Sequence, residues 1–98
     1  MIIYEVNIII DKSIYNDYIK WLDNHIKLML CNNGFIKSEK YKFNEDFNTI
    51  SICVQYYIKS KNNLEEYFLN YSDKMRKEGF EKFRNCIQIS RRILECVL

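Results

Sequence analysis

The chain has no proline and no alanine, only two glycines, and a single histidine and a single tryptophan. The missing proline and alanine accompany heavy use of Ile, Lys and Asn, which matches the codon bias of an AT-rich genome and carries no functional meaning. No linker composition, internal repeat or low-complexity tract interrupts the chain, so residues 1–98 are expected to form one domain. No apolar run approaches the roughly 18 residues of a membrane span, and no basic segment with a cleavage site precedes the first apolar stretch. Neither membrane insertion nor export is expected, and a cytoplasmic setting follows. Cys31, Cys53, Cys86 and Cys96 contain no CxxC pair and no His at finger spacing. In a reducing compartment they are expected to be free thiols used as small apolar residues, with no metal site and no cofactor. Charge of one sign is scarce too: the net charge is +2, and basic residues alternate with acidic ones, so no nucleic-acid or membrane partner is expected.

What is present suffices for a core, since the aromatic share is 15% and a chain of this length buries about 65% of its unfolded surface. The organising stretch is Ser13 to Leu30. At 100° per residue, Ile14, Tyr18, Trp21, Leu22, His25, Leu28 and Met29 fall in one sector, and Asn16, Lys20, Asp23, Asn24 and Lys27 fall opposite. That predicts an amphipathic helix with His25 in mid-stripe, capped by Ser13, with Asp17 near the positive end of its dipole and Asn33-Gly34 at its exit.

Ile2 to Ile10 reads as a central β-branched strand. Phe35 to Phe43 carries three Lys, as an edge strand does, and Asn44 to Asn48 forms a hairpin loop into an uncharged strand, Thr49 to Ile58. A second helix is predicted over Asn63 to Glu78, with Asn62 and Glu65 at capping-box spacing, a stripe of Leu64, Tyr67, Phe68, Tyr71 and Met75, and Gly79 as its exit. Phe80 and Phe83 then close the core. The last strand, Cys86 to Leu98, changes hydrophobic phase, which predicts a bulge near Ser90 to Arg92. Strand, helix, strand, strand, helix, strand in this order predicts an α+β ferredoxin-like sandwich, with both helices on one face of a four-stranded antiparallel sheet.

If the helices cover Ile2, Tyr4, Val6, Ile8, Ile52, Val54 and Tyr56, the other face presents Ile3, Glu5, Asn7, Ile9, Thr49, Ser51, Cys53, Gln55 and Tyr57. A solvent face would carry Lys and Glu at its centre. This one suits burial against a second copy, with Asn7, Ser51, Cys53, Gln55 and Tyr57 as the interface of a homodimer.

Several segments together resemble a small family of bacterial proteins defined only as a domain of unknown function, with the architecture of the dimeric α/β-barrel superfamily. They are Met1-Ile2-Ile3-Tyr4, Trp21-Leu22 with His25-Ile26, Gly34-Phe35, Val54-Gln55-Tyr56 and Arg92-x-Leu94-Glu95. Lys27 stands where related sequences often carry proline. Relatives with this barrel include cofactor-independent monooxygenases, haem-degrading enzymes, isomerases and ligand sensors, so the resemblance implies a fold and a dimer, not an activity.

Trp21 and His25, four residues apart, project onto one helix face, and Tyr4 and Tyr56 approach from the sheet. Together they can bind a small apolar or aromatic ligand stacked on Trp21, or serve an enzyme in which His25 takes a proton while Tyr56 donates a hydrogen bond. The packing alternative is that His25 satisfies a buried carbonyl or tyrosine hydroxyl and Trp21 fills volume. One His without a paired base, nucleophile or metal set defines no reaction. The segment Ile3 to Asn7 is similar to the first-strand motif of RNA-recognition domains, but the third strand lacks their Gly-and-aromatic pattern, so RNA is not expected as a partner. Of Arg91 and Arg92, strand alternation lets only one face a given site, leaving the other solvated or paired with Glu95 or a partner chain.

Overall fold

The structure, a computed structural model, describes residues 1–97. Strand β1 (Ile2–Asp11) leads through a short 3-10 turn into helix α1 (Tyr15–Met29), and strands β2 (Phe35–Glu45) and β3 (Thr49–Ile58) form a hairpin. Helices α2 (Lys61–Asn70) and α3 (Ser72–Phe83) precede strand β4 (Ile87–Glu95). The antiparallel sheet runs β2-β3-β1-β4, which places the two most apolar strands, β1 and β3, at its centre. Edge strand β2 is exposed and rich in lysine, which discourages pairing with another sheet.

One phase of the sheet, with Ile2, Tyr4, Ile8, Ile52, Val54 and Tyr56, is buried in a single core with Tyr18, Leu22 and Met29 of α1 and with Leu64, Tyr67 and Phe83 of the later helices. All helices therefore lie on one face. The α1 stripe holds, except that Leu28 at its margin is exposed. The helix runs unbroken through Lys27.

Four local expectations are corrected. Ser13 does not cap α1: the chain is still tied to the hairpin there, Lys12 N–H donating to Asn48 C=O at 2.9 Å, and α1 begins after Ile14 with no side-chain cap. The cap of α2 is Ser60, not Asn62, because Ser60 has extended backbone where β3 ends and its Oγ accepts from Asn63 N–H at 3.3 Å. The second helix is two helices that continue past Gly79. Ser72, buried at the junction, donates its hydroxyl to Phe68 C=O at 3.0 Å, and such back-bonding bends a helix. Tyr71 sits at the bend and is exposed rather than part of the stripe. Finally, β4 pairs with β1 in unbroken register from Ile10↔Ile87 to Ile2↔Glu95, so no bulge lies at Ser90 to Arg92. The irregularities fall in the β2–β3 pair instead, at Phe35/Lys37 and Lys42/Asn44. Of the last strand's expected span, Cys86 lies in a 3-10 turn and Leu98 lies outside the described residues.

Candidate functional site

The cleft begins at α1. Trp21 and His25, one turn apart, stack with ring centroids 4.6 Å apart and planes 17° from parallel. Trp21 is wedged further by Phe83 and Tyr18, at 5.8 and 5.6 Å. Its ring lies directly over Gly79 of α3, where a Cβ would come within 2.6 Å of it. Gly79 thus serves close approach of α3 to α1 rather than helix termination. Adding a methyl to a helix ordinarily stabilises it by up to about 1 kcal/mol, yet Gly79→Ala is expected to destabilise by about 1–3 kcal/mol, because the packed indole cannot retreat. Thermal unfolding, with tryptophan fluorescence as a second readout, checks the sign.

From the sheet, Tyr4 and Tyr56 enter as expected, 6.1 Å apart and each about 2% exposed. They join Trp21 and His25 around a cavity of about 50 Å³. Sequence reasoning missed two further members, Tyr67 and Arg76, and left open which of Arg91 and Arg92 would face the site; it is Arg91. Arg76 donates to the Tyr4 hydroxyl at 3.3 Å and lies over the Phe68 ring. Arg91 comes from β4, opposite Val6, and alternation sends Arg92 to the other face. Arg92 pairs there with Glu5, not with Glu95, whose partner is Lys61 at 3.5 Å.

His25 is half-buried, and its Nδ1 is shielded from solvent and has no hydrogen-bond partner among the described residues. The satisfied carbonyl or tyrosine hydroxyl of the packing alternative is therefore not found at Nδ1. Desolvation, assisted by the nearby Arg91 charge, lowers its pKa from 6.5 to about 4, so the imidazole is neutral at pH 7. Burial pushes the Tyr56 hydroxyl well above the usual range and Tyr67 up to about 12, so both remain hydrogen-bond donors. The cysteines stay free, and among the described residues no three His, Cys, Asp or Glu side chains converge as metal ligands.

The opposite sheet face carries the second candidate surface. Glu5 and Ser51 are already buried, and Asn7, Cys53, Gln55 and Tyr57 are half-buried. Asn7 and Gln55 each donate to the Glu5 carboxylate at 3.0 Å, Tyr57 donates to Gln55 at 3.4 Å, and Arg92 closes the network. Apolar side chains that the two central strands could not reveal, Tyr41 and Phe43 of β2, flank it in exposed positions with Ile9.

A protein family described as "Domain of unknown function (DUF4286)" matches residues 1–97. Among curated proteins, none matches the sequence. Among solved structures the chain is similar to a putative antibiotic biosynthesis monooxygenase from Deinococcus radiodurans, at TM-score 0.76 and 6% identity, covering 100% of this chain and 94% of that one. It is similar also to a dimeric ferredoxin-like protein from an uncultured marine organism, at TM-score 0.76 and 15% identity, covering 100% and 96%. A third is SnoaB, a cofactor-independent oxygenase from Streptomyces nogalater, at TM-score 0.68 and 6% identity, covering 97% and 92%. At these identities the likeness establishes the ferredoxin-like fold alone. Among the described residues no helix is long and apolar enough to cross a membrane.

Proposed function

Because the chain belongs to the DUF4286 family, whose description assigns no reaction, its role has to be read from the cleft and the sheet face, and we propose a homodimer that binds a small ligand around His25. The observation that carries this is the shielded, unpartnered Nδ1 of His25 beside the cavity. Leaving a buried polar atom unpaired costs about 1–3 kcal/mol, a cost that a hydrogen-bonding ligand removes. A cavity of about 50 Å³ holds roughly one water, whereas benzene needs a space of about 150 Å³. The polar tip of a ligand therefore enters, and its body stays outside.

The alternative is a cofactor-independent monooxygenase- or isomerase-like enzyme using His25, supported by the fold shared with SnoaB. The low basicity of His25 disfavours it: proton transfer to an imidazole of pKa about 4 is about 3 kcal/mol less favourable than to one at 6.5. A thermal-shift ligand screen followed by His25→Ala and Trp21→Ala decides between them. Binding lost in both variants, with no turnover in the wild type, supports the binding domain. Turnover lost in a folded His25→Ala supports the enzyme, and variants that only destabilise, with no ligand found, overturn both.

The dimer is supported by the polar network flanked by Ile9, Tyr41 and Phe43, a composition suited to a pairing surface, and by the dimeric ferredoxin-like relative. Ser51, Cys53 and Gln55 share one face of a central strand. Sedimentation is expected to give twice the chain mass for the wild type and the chain mass for the Cys53→Lys, Gln55→Glu double variant. A monomeric wild type at micromolar concentration would sink the proposal.

A further inference from the structure

Next to the cavity at His25 lies an open surface pocket of about 380 Å³, lined by Asp73, Arg76, Lys77, Phe80, Ile89 and Arg91. Arg76, Ile89 and Arg91 line both spaces, so two guanidinium groups flank the throat between them. Neighbouring cations are already engaged: Lys77 lies 3.8 Å from Glu81, and Arg92 holds Glu5 on the far side of the sheet. Arg76, by contrast, donates only to a neutral phenol, and Arg91 has no ion pair or side-chain hydrogen bond among the described residues. The Arg91 charge is felt inside, where it opposes protonation of His25 and favours ionisation of Tyr18 and Tyr67.

Resting on the cleft as the ligand site, we infer that the throat binds the carboxylate of a small aryl carboxylate between Arg76 and Arg91, with the aromatic body on Phe80 and Ile89. The outer pocket has room for the aromatic body, which the inner cavity of about 50 Å³ has not. Guanidinium groups match a carboxylate in both charge and fork geometry. Asp73 on the rim repels a second negative charge, which selects a monoanion over a dianion. The carboxylate end lies nearest the inner cavity, within reach of the Tyr4 hydroxyl that Arg76 already orients.

Calorimetric titration of the intact protein with sodium benzoate, and with benzamide as its uncharged isostere, tests this. Benzoate is expected to bind at least about tenfold more tightly than benzamide, and Arg91→Gln and Arg76→Gln each to weaken it by about tenfold or more, as loss of one charge-assisted hydrogen bond implies. Lys74→Gln, exposed on the same helix, is expected to leave binding unchanged. Melting curves confirm that the arginine variants remain folded. Benzamide binding as tightly as benzoate would overturn the carboxylate assignment while keeping the cleft as a ligand site. An equal loss in Lys74→Gln would reduce the effect to diffuse charge attraction and overturn it, as would no benzoate binding to the wild type.

Discussion

On acidification from pH 6.5 to pH 4, His25 is expected to cost the protein about 3 kcal/mol of stability, and the His25→Leu variant to lack that loss. The unfolded imidazole takes a proton near its ordinary 6.5, whereas the folded one resists until about 4. The unfolded state therefore binds more protons across that window, so stability rises with pH there. The contribution is fully present above about 6.5 and is gone below about 4. Among the described residues no carboxylate, Asp73 of the outer pocket included, contributes to the His25 shift. Glu5 faces the other side of the sheet with Arg92, Glu95 is held by Lys61, and Asp23 pairs with Lys40 on the solvent side of α1. Arg76 and Arg91 both line the cavity with His25, and the Arg91 charge opposes protonation further. Urea unfolding at a series of pH values measures the slope, and NMR titration of the lone imidazole measures its cause. An imidazole titrating at or above 6.5 would refute the desolvated placement.

Arg92→Ala is expected to cost about 1–2 kcal/mol, more than Glu5→Gln. The side chains of this pair are unequally placed, Glu5 being 3% exposed and Arg92 66%. Removing the guanidinium leaves a buried carboxylate with only Asn7 and Gln55 as donors, whereas removing the carboxylate charge leaves an arginine that water already solvates. Hydrogen bonding to Arg92 leads the causes that hold Glu5 at about 2 instead of 4.5, worth at most about 3 kcal/mol, and the exposure of Arg92 lets water and salt reduce that to about 1–2 kcal/mol. Because the folded pKa is depressed, this stability is present above about 4.5 and is lost as pH falls toward 2. The shift in urea midpoint, and a flattened acid limb below pH 4.5 in the variant, measure it. A cost below about 0.5 kcal/mol would mean that water replaces Arg92 at Glu5.

The parts of this molecule legible in sequence are those set by period alone. Alternation in β1 and β3 sorted Tyr4 and Tyr56 to one face and Asn7, Ser51, Cys53, Gln55 and Tyr57 to the other, and helical period put Trp21 beside His25. What failed depended on individual contacts, some between distant segments and some within one turn, that period does not encode. Gly79 has the chemistry of a helix exit, and only the Trp21 ring above it explains why the helix continues. The bend at Tyr71 rests on one hydroxyl, that of Ser72, reaching back to Phe68. The phase change expected as a bulge in β4 is instead the half-covered edge of the sheet, where Ile89 and Ile93 remain exposed on the helix face. Arg76 carried a faint signal, lying eight residues after Phe68 on the margin of the stripe, but basic residues in the last turn of a helix have a simpler explanation in the dipole.

The placement of β1 at the centre of the sheet has a consequence for synthesis on the ribosome. Of the four strands this one emerges first, and one of its two neighbours, β4, emerges last of the four, with Ile2 destined for Glu95. At about 5–20 residues per second, β1 waits on the order of ten seconds with one backbone edge unpaired and its run of isoleucines exposed. Such a segment invites intermolecular pairing, and the only charge within its apolar run is Glu5. Before it meets Arg92, that carboxylate is the one charge in the run that opposes such pairing, as well as having its place in the finished sheet.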